Sequence, residues 1–201
     1  METSGAGTLW PLWIRPREDE IARFRNIPDG GKIVFFTPQL EHQRLDDTVW
    51  PRLPDGGIDN IMSVNQLGLL MAISEHTIIQ KPYSVGSRFT DVHEAVIEEA
   101  AGVIVLVAQC RGDDDPREVK IDMTCQIDFC WSTKDVINDD EVFAESSRPP
   151  LILIFVGDLE TPVWPQTELK YLDNIITCPT LDNGNTAKIV AEIYGNPALA
   201  Q

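Results

Sequence analysis

Residues His76 to Gln109, HTIIQKPYSVGSRFTDVHEAVIEEAAGVIVLVAQ, contain in succession an apolar strand, a glycine-bearing polar loop, an amphipathic helix and a second apolar strand. The second strand constrains the fold most. Every residue from Val103 to Ala108 is apolar, and side chains alternate between the two faces of a strand, so both faces need a cover. Parallel sheets flanked by helices provide it. A parallel pair also needs a crossover of about a dozen residues or more, and the chain supplies one. Val92, Ala95, Val96, Ile97 and Ala100 recur at helical spacing, Glu94, Glu98 and Glu99 fill the gaps, and Thr90 or Asp91 offers an N-cap oxygen. The β-branched run Thr77-Ile78-Ile79 precedes this helix and is expected to end at the loop Lys81-Pro82-Tyr83-Ser84-Val85-Gly86. The unit is βαβ.

Three further strands follow from the same reasoning. Ile33 to Phe36 follows the turn Asp29-Gly30-Gly31 and closes at Thr37-Pro38; Leu151 to Val156 ends at Gly157-Asp158; Asn174 to Cys178 is short. Helices are expected over Leu40–Trp50, from Ser63 through Leu67, Leu70, Met71 and Ile73, over Val119–Ser132 and over Asn185–Tyr194. About five parallel strands with intervening helices make a doubly wound α/β sheet with helices on both faces, TIR-like or flavodoxin-like in class. The expected domain covers residues 31–195, with a tail at 196–201. Residues 1–30 read as an arm, because Pro11 and Pro16 oppose a long helix; Trp10 and Trp13 are expected to pack on the domain or on a neighbouring subunit.

The net charge of −16 over 201 residues argues against nucleic acid or an anionic membrane as the main partner, since both would repel the chain. No apolar run approaches the roughly 18 residues of a membrane span, and Met1-Glu2-Thr3-Ser4 lacks the pattern of a signal peptide, so a cytoplasmic location is expected. Cys110, Cys125, Cys130 and Cys178 show no zinc-ligand spacing and read as reduced, mostly buried thiols. Gln109-Cys110-Arg111-Gly112 departs from the caspase signature in its first residues and has no His-Gly partner upstream. Asp113-Asp114-Asp115 reads as a solvated loop rather than a cation cage.

The order of elements, the Pro82–Phe89 loop with Gly86, the helix over Val92–Ala100 and the strand from Val103 together resemble a TIR (Toll/interleukin-1 receptor) domain. The resemblance extends more weakly over Ile33–Tyr194, with Leu40–Ile61 looking inserted. Catalytically active members cleave the nicotinamide N-glycosidic bond of NAD, using a glutamate on the helix after the third strand. The resemblance therefore implies an NAD-cleaving enzyme that takes NAD as substrate and needs no separate cofactor. The matching position here is Gln126, an amide that carries no charge, and Asp122 stands where the family often has tryptophan. Asp128 is the fallback carboxylate. Open parallel sheets bind ligands beyond the carboxyl ends of their strands, which makes Phe36, Thr37, Pro38, Tyr83, Ser84, Gly86 and Arg88 candidate substrate-binding residues. The family reading also implies a homo-oligomer through the Tyr83–Arg88 loop and the arm. Two alternatives accompany it. Phe35-Phe36-Thr37-Pro38 followed by Glu41-His42-Gln43-Arg44-Leu45 is similar to the opening of nucleoside 2-deoxyribosyltransferases, and a TIR-type chain can also be a non-catalytic assembly module.

Overall fold

A computed structural model describes residues 17–39, 46, 49, 76–84, 91–111, 113–161, 164, 165, 169 and 171–194. Five strands, β1 (Lys32–Gln39), β2 (Thr77–Ser84), β3 (Gly102–Ala108), β4 (Leu151–Val156) and β5 (Ile175–Cys178), form one sheet in the order β2-β1-β3-β4-β5. Every pairing is parallel. Four helices accompany it among the described residues: α1 (Glu18–Arg25), α2 (Asp91–Glu98), α3 (Pro116–Ile137) and α4 (Asn183–Tyr194). The α/β class and the parallel sheet are those expected from the apolar runs.

The fully apolar strands have the predicted cause. Val103, Val105 and Val107 of β3 pack with α2 and α3 through Ile97, Met123 and Ile127. Ile104, Leu106 and Ala108 pack on the other face with α1 and α4 through Phe24, Ile189 and Ile193. All seven residues of β3 are buried.

Several boundaries differ from the sequence expectation. Both β1 and β2 run past their prolines, through Thr37-Pro38 and Lys81-Pro82-Tyr83-Ser84. Pro82 is tolerated because β2 is the edge strand among the described residues: Thr77 N–H donates to Gly31 O, so odd residues of β2 turn their backbone to β1 and Pro82 faces outward. The segment read as an arm holds α1, with Glu18, Asp19 and Glu20 in its first turn and Arg23 and Arg25 in its last, matched to the helix dipole. This helix crosses the amino ends of the strands. Asn174 Oδ1, just before β5, accepts from Arg17 N–H; Glu20 Oε2 accepts from Leu151 N–H at the start of β4; Phe24 lies against Gly102 at the start of β3. Helix α3 extends past the expected Val119–Ser132 at both ends, because Asp115 caps it through Arg117 N–H (2.9 Å) and Pro116 occupies its first turn. The expected helix from Ser63 lies outside the described residues, as does nearly all of that over Leu40–Trp50. No described helix is long and apolar enough to cross a membrane.

Candidate functional site at the switch between β1 and β3

The chain leaves β1 toward β2 on one side and then returns past β1 to β3, so the topological switch lies between β1 and β3. There the two strands separate. β1 pairs with β3 only through Phe36↔Val105, whereas it follows β2 as far as Gln39↔Ser84. The backbone supplies the reason. Ala101 N–H donates to Lys32 O, so even residues of β1 face β3, and the next donor due in that ladder is Pro38, which has no N–H.

The separation leaves backbone groups of β3 without their strand. Val103 N–H donates to Pro150 O and Gln109 N–H to Val156 O, so odd residues of β3 face β4 and even ones face the gap. Continued register would have Leu106 O accept from residue 38; instead it accepts from the Tyr83 hydroxyl at 2.7 Å. Ala108 presents both its N–H and its C=O to the gap. Gln126, fully buried on α3, answers both: Oε1 accepts from Ala108 N–H and Nε2 donates to Ala108 O, each at 2.9 Å. Nε2 also approaches Met123 Sδ (3.6 Å) and Cys110 Sγ (3.8 Å). One side-chain amide thus serves both of the backbone groups that β1 leaves open at Ala108.

Aromatic rings fill the space beside this clamp. Tyr83 stacks on Phe129 (centroids 4.1 Å apart, planes 8° apart), and Phe36 meets Phe129 edge-on at 5.1 Å. His93 closes the group, edge-on to Phe129 at 5.1 Å and to Phe36 at 5.9 Å. Burial pushes the Tyr83 phenol well above its ordinary range, helped by Cys130 and Cys110, and burial lowers the His93 imidazole.

The candidate residues are therefore placed differently. Gln126, Phe36 and Tyr83 come together, buried, at the switch. Thr37 is buried and Pro38 half-buried at the end of β1, and Ser84 ends β2. Asp128 is exposed, two residues round the helix from Gln126, and joins no site with it. Gly86 and Arg88 lie outside the described residues.

Sequence reasoning missed a second polar node beyond β3 and β4. Gln109 Oε1 accepts from Asp158 N–H (2.8 Å), its Nε2 donates to Asp46 Oδ2 (3.2 Å), and its C=O accepts from Asp46 N–H (3.1 Å). Gly157 makes room for it at φ +138°: a Cβ there would meet Gln109 Cβ at 2.6 Å. Val49, fully buried, lies near the end of β5, where its C=O accepts from Thr180 Oγ1 (2.7 Å) and Leu181 N–H (3.0 Å). The legible signal was Gly157-Asp158 directly after an apolar strand. Among the described residues no group of three or more His, Cys, Asp or Glu side chains is placed to hold a metal ion.

No protein-family model matches this sequence, and no curated protein matches it.

Proposed function

We propose that this chain is a TIR-type association module in which the crevice at the switch is closed by the chain's own side chains. The observation that carries the reading is Gln126, fully buried with both ends of its amide committed to Ala108. Glycosidic cleavage through an oxocarbenium-like centre calls for a carboxylate beside the reacting ribose. A neutral amide without solvent access offers neither charge nor contact, and Asp128 faces away. Tyr83 and Phe36, expected to line a nucleotide site, spend their surfaces on Phe129 and His93.

The test uses the full chain and the variant Gln126→Glu. Each is incubated with NAD, and separately with a deoxynucleoside plus a free base, and the products are separated by chromatography; molar mass is followed by light scattering over a range of concentrations. The expected result is a mass that rises with concentration while neither substrate is consumed. Release of nicotinamide, or base exchange, by either protein would restore the glycosidase readings, and a monomer at every concentration would sink the module.

A further inference from the structure

We draw no further inference here: the strongest candidate, the polar node of Gln109, Asp46 and Asp158 at the carboxyl ends of β3 and β4, has the amide and carbonyl groups of Gln109 already bonded within the chain, and nothing in the structure shows a second arrangement that would free one for a ligand.

Discussion

The Gln126 clamp makes a prediction that can be worked through in numbers. Gln126→Glu preserves shape and removes one donor, so where Nε2 meets Ala108 O at 2.9 Å the variant sets oxygen against oxygen. A protonated carboxyl repairs this: its O–H donates to Ala108 O while the other oxygen keeps the bond from Ala108 N–H. The charged form leaves a buried acceptor facing an acceptor, with Met123 Sδ and Cys110 Sγ as its other neighbours. Burial and that clash both favour the neutral form, so the introduced carboxyl has a folded-state pKa above its unfolded value of about 4.3. The sign follows. Stability is fully present below about pH 4.3 and is lost as pH rises toward the folded pKa.

Groups buried this completely shift by up to about 3–5 units, and each unit is about 1.36 kcal/mol. With a folded pKa at or above 7, about 2.7 units separate pH 7 from the unfolded value, a penalty of roughly 4 kcal/mol. At about 2–4 °C per kcal/mol for a chain of this size, the melting temperature falls by roughly 8–16 °C more at pH 7 than at pH 4. Scanning fluorimetry of wild type and variant from pH 4 to 8, read as the difference between them, removes the acid sensitivity common to both. Gln126→Met is the control, because it loses the same backbone bonds but has no proton to bind, and its difference should be flat. A flat difference for Gln126→Glu as well would refute the closed clamp, since the carboxylate would then ionise without cost.

Tyr83→Phe keeps the stack on Phe129 and deletes the bond to Leu106 O, and should cost about 1–2 kcal/mol in urea unfolding with no change in m-value. Gly157→Ala forces a left-handed residue's Cβ onto Gln109 and should destabilise by about 2–3 kcal/mol, a cost that Gln109→Ala in the same background partly relieves. His93, lowered by burial, contributes stability that is present above its unfolded value of about 6.5 and is lost as pH falls through the lower folded value. The pH-dependent loss of melting temperature between pH 7.5 and 5 should therefore shrink in His93→Leu. Burial pushes the Cys130 thiol up, and that of Cys178 up to about 12, and Cys110 is also buried, so an aromatic disulfide reagent should modify half-buried Cys125 first and reach the other three on denaturation.

The fold was legible where chemistry left one solution. Val103–Ala108 and Leu151–Val156 are apolar on both faces, and strands with that composition are stable only between two layers of helix. Ends of elements were less legible, because they depend on neighbours. Pro82 looks like a stop in a sequence, yet an edge strand can carry a proline whose nitrogen faces outward. α1 has two buried apolar residues, Ile21 and Phe24, in eight. So short a stretch has little periodicity to read, and its helix is held by docking beneath the sheet rather than by propensity.

The candidate site divides along the same line. Its residue types were visible in the sequence, but the direction each side chain takes was not, because that direction is set by the point at which β1 leaves β3. Pro38 carries the cause: without its N–H the ladder between the two strands stops at Phe36, and the open backbone groups of Leu106 and Ala108 draw in the nearest suitable partners. Had residue 38 possessed an N–H, Leu106 O would have a strand partner and Tyr83 would have no buried acceptor to hold it inward. The same reasoning separates Gln126 from Asp128. Two residues apart on α3, they lie on opposite sides of it, and only the inward one can serve a gap in the sheet, where an amide with a donor nitrogen and an acceptor oxygen matches Ala108 and a carboxylate does not. Glutamine at position 126 therefore answers both backbone groups of Ala108 with no change of protonation.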